Sequence, residues 1–211
     1  RKYNVDEPVL CDIDLSLLFL NEELRTRGKS RTSKQHVERA VDVSSDAVFN
    51  TKNVLLTLQR LLPKETRYTV DIGEFMSYVI HDMHVFDSNT FDINVHFGAM
   101  GSGIGSALGS LLAEPDRPVA SITGDGCFFM HGMELLTAKE YGLPILFVVI
   151  NNARLGMVYH GHMLQYKRSH PRFEQTPVDL FRMASALDIP SVRIEKMTDL
   201  TEASLQPLLL A

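Results

Sequence analysis

Residues 118–132 read PVASITGDGCFFMHG, a short apolar run that stops at an aspartate between two glycines. Val119–Thr123 has the apolar, β-branched composition of a buried strand. Asp125 follows directly, with Gly124 before it and Gly126 after it. A carboxylate at the end of a buried strand is costly unless it faces solvent, a partner or a ligand. What Asp125 faces is therefore the question that decides the fold and the function.

This stretch also opens a strand–helix–strand unit. A helix is predicted for Phe129–Tyr141, and Ile145–Ile150 is an uninterrupted apolar run, as in a strand covered on both faces. Asn151 and Asn152 follow that second strand. Parallel strands joined in this way end at the same edge of the sheet, so Asp125 and Asn152 are expected to lie close together. In open α/β sheets this edge is where ligands bind.

The rest of the chain predicts the same alternation of strands and helices. Such alternation indicates an α/β fold with a three-layer arrangement, a parallel sheet with helices on both faces. The predicted helices are one capped by Asp12 or Asp14, then Thr51–Leu62, Glu74–His81, Ser102–Ala113, one starting at Thr176-Pro177, and Leu200–Leu210; the other strands are Tyr68–Val70 and Ser191–Ile194.

Composition excludes several classes of protein. The net charge of −5 argues against a nucleic-acid-binding surface, and the basic run of residues 25–34 is interpreted as a solvated connector. Cys11 and Cys127 form no CxxC pair, which suits a reducing compartment without disulfides. No run approaches the roughly 18 apolar residues of a membrane helix, and the N-terminus has no apolar signal region. We expect a cytoplasmic protein with no membrane or nucleic-acid partner.

The side chains expected at the sheet edge suit a hard cation. Asp125 and Asn152 offer carboxylate and amide oxygens, which favour Mg²⁺ or Ca²⁺ over a thiolate-preferring metal. The N–H groups of Gly126 and Cys127 open the next helix and could bind phosphate. The pattern predicts a divalent cation that joins the protein to a phosphorylated cofactor.

These residues carry a resemblance to a known family. Gly124-Asp125-Gly126, then 24 residues, then Asn151-Asn152, resembles the cofactor motif of thiamine-diphosphate enzymes, most closely the acetolactate-synthase-like branch. The resemblance covers most of residues 50–210. It implies that residues 49–211 are a thiamine-diphosphate-binding domain lacking the last strand. Residues 1–48 then resemble the end of a preceding middle domain plus linker, and the pyrimidine-binding domain is absent from this chain.

The resemblance also implies a cofactor and its ligands. Asp125, Asn152 and the Arg154 carbonyl would bind Mg²⁺. Met100, in HFGAMGSGIG, matches the apolar residue that bends thiamine diphosphate into a V, and the Gly98 carbonyl matches the acceptor for its aminopyrimidine. The full set of implied cofactor contacts is Gly73, Glu74 (through its backbone, where the family often has Gln), Gly98, Met100, Gly124, Asp125, Gly126, Cys127, Asn152 and Met157.

The implied reaction is decarboxylation of a 2-oxo acid such as pyruvate, followed by carboligation. Met100, Gly98 and His160 are the implied catalytic residues; His160 and His162 either move protons or are surface histidines of a loop. The acetolactate synthases carry a tryptophan where Gly161 stands, and this chain has none, so the acceptor and simple release of an aldehyde both stay open.

The activating glutamate would come from the pyrimidine-binding domain of a second subunit, in a homodimer or homotetramer. The isolated chain is therefore expected to be inactive.

The residues leave other interpretations open. A dinucleotide-binding oxidoreductase would use Gly101-x-Gly103 with Asp125 on the ribose, but leaves the paired asparagines unexplained. A regulatory module with a broken site is a third possibility. Metal binding by His81 with His84, or by His131 with Glu134, lacks further ligands at suitable spacing. Cys127 is interpreted as a small residue at a helix start rather than a nucleophile.

Overall fold

The structure is a computed structural model that describes residues 12–26, 43 and 47–209. It forms two compact units, Arg1–Ala40 and Val41–Ala211. In the first unit, helix α1 spans Ile13–Thr26. The predicted cap is confirmed, because the Asp12 carboxylate accepts hydrogen bonds from the N–H groups of Asp14 (3.0 Å) and Leu15 (3.2 Å). Cys11 and most of the basic connector, residues 27–34, lie outside the described residues.

The second unit contains a sheet of four parallel strands. They are β1 (Arg67–Val70), β2 (Phe91–Ile93), β3 (Val119–Gly124) and β4 (Ile145–Ile150), in the spatial order β2-β1-β3-β4. β3 is buried along its whole length, and β3 and β4 pair with Gly124 opposite Ile150. The two strands therefore end level with each other, as the strand–helix–strand unit predicts.

Helices cover both faces of this sheet. Their bounds are α2 (Thr51–Leu61), α3 (Glu74–Asp82), α4 (Ser102–Ala113), α5 (Asp125–His131), α6 (Leu135–Glu140), α7 (Gly156–Tyr166), α8 (Leu180–Ala186) and α9 (Glu202–Leu209), with short 3₁₀ turns at Gly132–Glu134, Pro171–Phe173 and Met197–Asp199. None of these described helices has the length and apolar character needed to cross a membrane.

The core lies in two layers against β3. Ile122 of β3 packs in one cluster with residues of α2, α3 and α9, including Leu58, Val79 and Leu205. On the other side, Ala107 and Leu111 of α4 pack with Val119. Burying an aliphatic side chain of this size stabilises the fold by about 1.5–3 kcal/mol. The prediction of a three-layer α/β fold is confirmed.

Two predicted helices were wrong in their bounds. The chain between residues 129 and 141 forms α5, a 3₁₀ turn and α6, because Gly132 interrupts the helix and packs against the ring of Phe128. The helix predicted from Thr176-Pro177 begins only at Leu180. Its N-cap is Asp179, whose side chain accepts a hydrogen bond from the N–H of Arg182 at 3.0 Å.

The strand predicted for Ser191–Ile194 was also wrong. This segment faces β4 across a cavity of about 610 Å³ instead of joining the sheet. The Arg193 guanidinium is ion-paired with Asp179 at the start of α8 and lies 5.8 Å from the Phe181 ring centroid. These contacts hold the segment to α8, and β4 remains an edge of the described sheet.

A matched pair of glycines in α4 tests the packing of this helix on β1. A Cβ on buried Gly103 would lie 2.8 Å from the backbone nitrogen of Asp71, whereas a Cβ on exposed Gly105 meets nothing within 4 Å. We expect Gly103→Ala to lower the free energy of unfolding by about 1–3 kcal/mol through overpacking. Gly105→Ala should raise it by about 0.5–1 kcal/mol through helix propensity. Urea unfolding measures both, and an equal effect of the two variants would contradict this packing.

Candidate functional site

The carboxylate of Asp125 joins the ends of two strands. Asp125 is the first residue of α5 and is buried, with 3% of its surface exposed. One carboxylate oxygen accepts a hydrogen bond from Gly126 N–H at 2.7 Å. The other accepts from Asn152 N–H at 3.1 Å and from Ala153 N–H at 2.5 Å. Asp125 therefore faces the chain that leaves β4, and the predicted approach of these two segments is confirmed.

The side chains of the two asparagines after β4 have different hydrogen-bond partners. The Asn151 side chain donates a hydrogen bond to the carbonyl of Val178 at 3.0 Å and so anchors a distant segment. The Asn152 amide oxygen accepts from Arg154 N–H at 3.1 Å, within its own turn. Ala153 has a φ of 54°, in the left-handed region, where a residue other than glycine is uncommon. This turn directs two consecutive N–H groups at Asp125. It leaves Asn152 exposed at the carboxyl edge of the sheet.

A second buried carboxylate, Asp71, has a role that the sequence did not reveal. It follows β1, is fully buried, and accepts hydrogen bonds from Ile72 N–H (2.9 Å) and Gly101 N–H (2.8 Å). Its other oxygen accepts from the Thr123 hydroxyl at 3.1 Å. Asp71 thus connects β1, β3 and the turn before α4. An aspartate directly after a short apolar strand was the available signal, the same one that marks Asp125.

Cys127 is a packing residue in this structure. Its thiol donates a hydrogen bond to the Ile72 carbonyl at 3.0 Å. Burial, together with the negative charge of Asp71, raises the pKa of the Cys127 thiol to about 11. The position at a helix start would lower that pKa, but desolvation dominates here. The thiol is therefore protonated at neutral pH, which supports the structural interpretation over a nucleophile.

Met100 lies against the turn at Asp125. A Cβ on Gly126 would stand 3.0 Å from the Met100 methyl carbon and 2.9 Å from Leu155 Cδ2, so only glycine fits there without displacement. The loop that presents Met100 turns through left-handed glycines, Gly98 with a φ of 62° and Gly101 with a φ of 91°. The structure thus brings Met100 to Gly126; the action of Met100 on a cofactor stays a prediction.

The glycines of the dinucleotide alternative have other roles. A Cβ on Gly101 would collide with the imidazole of His131, and Gly103 packs on the backbone of Asp71. Both glycines are therefore explained by close packing of α4 on its neighbours. Nothing in this geometry favours a dinucleotide at this turn.

Gln175 is a further residue of the site that no sequence motif indicates. Its N–H donates to the Ala153 carbonyl at 2.7 Å, which fixes it beside the turn after β4. Its side-chain oxygen is buried, has no hydrogen-bond partner, and lies 3.9 Å from the position of a Cβ on Gly126. A buried acceptor without a donor is destabilising unless a ligand supplies one. Gln175 therefore offers an unpaired acceptor beside the Asp125 turn.

Residues 156–166 form helix α7 rather than the loop considered for the two histidines. His160 Nδ1 lies 2.7 Å from a carboxylate oxygen of Glu74 at the start of α3. His162 faces elsewhere, with its ring centroid 4.9 Å from that of Phe173 and 5.2 Å from that of Tyr166. This supports a structural role for His162 and separates it from His160. Met157, on the first turn of α7, is 39% exposed.

Arg154 is fixed by its side chain as well as by its turn. The guanidinium lies 4.2 Å from the Tyr159 ring centroid and 3.5 Å from the Glu174 carboxylate. Its Nε is buried without a hydrogen-bond partner. These contacts hold the backbone of Arg154 beside Asn152.

The donor set fits a hard cation. Within the described residues there is no group of three or more His, Cys, Asp or Glu side chains that could bind a metal, which leaves the pairs at His81/His84 and His131/Glu134 without support. The oxygens close to the Asp125 turn are the carboxylate of Asp125 itself, the Gln175 amide oxygen beside Gly126, and the Asn152 amide oxygen in the facing turn, a set that suits Mg²⁺ or Ca²⁺. The Gly126 N–H is already bonded to Asp125, so it is less available to phosphate than its sequence position suggests.

Comparisons with known proteins give a consistent result. The family model described as "Thiamine pyrophosphate enzyme, C-terminal TPP binding domain" matches residues 71–207. The chain is 32% identical over 173 residues to the acetolactate synthase isozyme 2 large subunit of Escherichia coli (strain K12), covering 80% of this chain and 30% of that protein. It is 28% identical to a probable acetolactate synthase large subunit of Methanococcus aeolicus, covering 96% of this chain and 38% of that protein.

The fold has counterparts among solved structures. The benzoylformate decarboxylase of Polynucleobacter necessarius superposes with a TM-score of 0.69 at 20% sequence identity, over 80% of this chain and 32% of that chain. The chain thus spans well under half the length of each of these relatives.

The raised pKa of Cys127 predicts a protected thiol. In a Cys11→Ser background, Cys127 should react with a thiol reagent at pH 8 only as fast as the protein unfolds. Because the folded pKa of about 11 exceeds the ordinary value of 9.0, the unfolded thiol ionises first, and stability should fall as the pH rises from about 9 to 11. Cys127→Ala should weaken that slope in urea unfolding. Rapid labelling of the native protein at pH 8 would contradict the buried position.

Proposed function

The chain belongs to the acetolactate-synthase-like thiamine pyrophosphate enzymes as a C-terminal TPP-binding domain, and we propose that it binds the diphosphate of thiamine diphosphate through Mg²⁺ within a larger 2-oxo acid decarboxylase and carboligase. The observation that carries the proposal is the Asp125 turn. A buried carboxylate at the end of β3 meets the Asn152 turn after β4, beside an amide oxygen of Gln175 that lacks a donor.

In this proposal the metal is held by oxygen atoms. The Asp125 carboxylate, the Asn152 amide oxygen and the Arg154 carbonyl are its protein ligands. The carboxylate accepts three backbone hydrogen bonds, and a carboxylate offers about four lone-pair sites, so it retains capacity for a cation. Mg²⁺ commonly takes one or two carboxylates and completes its octahedron with phosphate oxygens and water.

The remaining residues position the cofactor. The Met100 side chain would provide its apolar contact, and the Gly98 carbonyl would accept a hydrogen bond from its aminopyrimidine. Backbone groups of Gly73, Glu74, Gly124 and Cys127 would line the diphosphate, and Gly126 would allow its close approach while the Gly126 N–H stays bonded to Asp125. When bound, thiamine diphosphate supplies the nucleophilic carbon and the electron sink for decarboxylation. The chain itself contributes position and electrostatics, with Met157 toward the substrate.

Pyruvate or a similar 2-oxo acid is the proposed donor, and a second carbonyl compound is the acceptor. The acetolactate synthases to which the chain is similar support carboligation. Release of a free aldehyde is the second candidate, because a Cβ at Gly161 would meet nothing within 4 Å and this side of α7 is open. The nature of the product distinguishes the two reactions.

A partner subunit completes the proposed site. Its pyrimidine-binding domain would supply the activating glutamate, in a homodimer or homotetramer of a cytoplasmic enzyme. The side chains of Phe129, Met130 and Met133, around the end of α5, are 46%, 58% and 50% exposed. Contiguous exposed apolar side chains of this kind fit a protein–protein interface.

The two asparagines provide a matched test of metal binding. We expect Asn152→Ala to weaken Mg²⁺-dependent binding of thiamine diphosphate at least tenfold, because an amide ligand is lost while the side chain has no role outside its own turn. Asn151→Ala should leave binding within about twofold, because that side chain anchors Val178. Calorimetry with and without Mg²⁺ measures both affinities. The same loss in both variants, or binding without Mg²⁺, would count against the assignment.

The reaction is tested on the full-length protein with pyruvate. We expect carbon dioxide release together with a carboligation product, and neither with the Asp125→Ala variant. Mass spectrometry of the products separates acetolactate from free aldehyde, and aldehyde alone would favour the second candidate. The present 211 residues alone should show negligible turnover; measurable decarboxylation by them would contradict the need for a partner domain.

A further inference from the structure

Glu74 and His160 form a side-chain pair, whereas the proposed cofactor contact of Glu74 uses only its backbone. Glu74 is the first residue of α3, and His160 lies on the second turn of α7. The His160 Nδ1 is 2.7 Å from one Glu74 carboxylate oxygen. The other carboxylate oxygen occupies the space that a Cβ on Gly156 would need. The Glu74 carboxylate therefore contacts α7 at two places. One oxygen lies at the His160 imidazole, and the other lies at Gly156, one turn earlier, where there is no side chain.

The pair joins the helices that follow the two neighbours of β3. α3 follows β1 and α7 follows β4, and these two strands flank β3 on either side. The ring of Phe75, next to Glu74, would be 2.8 Å from a Cβ on Gly124, so the start of α3 is packed directly on the end of β3. Glu74 and His160 consequently meet across the end of β3, the strand that Asp125 follows. This is the edge where ligands of such sheets bind.

We infer that Glu74 is a positioning residue that orients the His160 imidazole, so that His160 Nε2 exchanges a proton with the substrate. This inference rests on the proposed function. A carboxylate next to Nδ1 accepts its N–H and fixes the tautomer, which leaves Nε2 to act. The His160 side chain is 52% exposed and that of Glu74 28%, so a substrate can reach the ring while its partner is the more sheltered of the two.

Among the described residues, the ion pair of Glu74 is with His160. The Tyr159 ring lies edge-on to His160, with the ring centroids 5.2 Å apart. The Arg154 guanidinium lies 4.2 Å from the centroid of the Tyr159 ring. Arg154 is itself paired with Glu174. The cation nearest to this carboxylate among these groups is thus the imidazole of His160 when protonated.

The proton step is balanced without a further reagent. When a carbon–carbon bond forms at the carbonyl carbon of the acceptor, the electron pair of the C=O bond moves to its oxygen. His160 Nε2–H donates its proton to that oxygen, and solvent returns a proton to Nε2. The Glu74 carboxylate holds Nδ1–H during the transfer, so that the ring keeps its orientation. Such proton transfer typically contributes 10²–10⁴-fold to a rate.

The experiment is a double-mutant cycle on the full-length holoenzyme. We expect His160→Ala to lower kcat roughly 100-fold. Glu74→Leu should lower kcat on the order of tenfold with KM within about twofold, and should have no further effect in the His160→Ala background. Glu74→Gln, whose amide oxygen still accepts from Nδ1–H, should retain more activity than Glu74→Leu. Imidazole added to His160→Ala should restore part of kcat, which a purely structural role does not allow.

His162→Ala is the matched control on the same helix. Because His162 packs on Phe173 and Tyr166, this variant should lower the Tm while kcat stays within about twofold. Independent, multiplicative effects of Glu74→Leu and His160→Ala on kcat would overturn the inference, as would absence of imidazole rescue. Failure of the proposed function is distinguishable, since the unaltered protein would then show no Mg²⁺-dependent binding of thiamine diphosphate in calorimetry.

Discussion

The arrangement of the site depends on the hydrogen bonds that the Asp125 carboxylate accepts from the backbone. A buried carboxylate is costly, and three N–H donors offset that cost, each by about 1.5–3 kcal/mol for a charged acceptor. The left-handed Ala153 costs roughly 1–2 kcal/mol, less than the bonds that this turn makes possible. The turn after β4 is therefore folded against the end of β3 by the chain's own interactions, before any ligand binds.

Asp71 is a second buried carboxylate that accepts hydrogen bonds, and it adds the end of a third strand, β1, to this arrangement. Its bond from Gly101 N–H ties the loop that carries Gly98 and Met100 to the end of β1, and its bond from the Thr123 hydroxyl ties β1 to β3. Two buried carboxylates thus fix two loops on adjacent strand ends. Both loops converge on Gly126, where a Cβ would stand 3.0 Å from the Met100 methyl carbon and 3.9 Å from the Gln175 side-chain oxygen.

The local sequence pattern was sufficient to predict the main helices and strands around the site. Ser102–Ala113 and Ile145–Ile150 are long, uniformly apolar or small-residue segments, and both were predicted with the observed bounds. The convergence of Asp125 with Asn152 followed from the parallel pairing of β3 and β4, whose carboxyl ends lie at the same edge of the sheet. Helix α7 could not be predicted in this way, because its residues alternate glycine, histidine and apolar types without one apolar face.

Contacts between distant residues account for the remaining differences. The extended segment at Ser191–Ile194 has strand-like composition, yet the Arg193–Asp179 ion pair holds it to α8. Gln175 lies in an irregular segment, and its place at the site depends on a backbone bond to Ala153. The pairing of Glu74 with His160 likewise joins residues far apart in the chain. Such contacts become visible only once the strand order is known.

The space shared by Glu74 and Gly156 has an evolutionary consequence. A side chain gained at position 156 would meet the Glu74 carboxylate, and the flexible Glu74 side chain would have to move away. That movement would also take the carboxylate away from His160. A change at position 156 among descendants of this protein is therefore expected to alter the contact between α3 and α7, and with it the selection on positions 74 and 160.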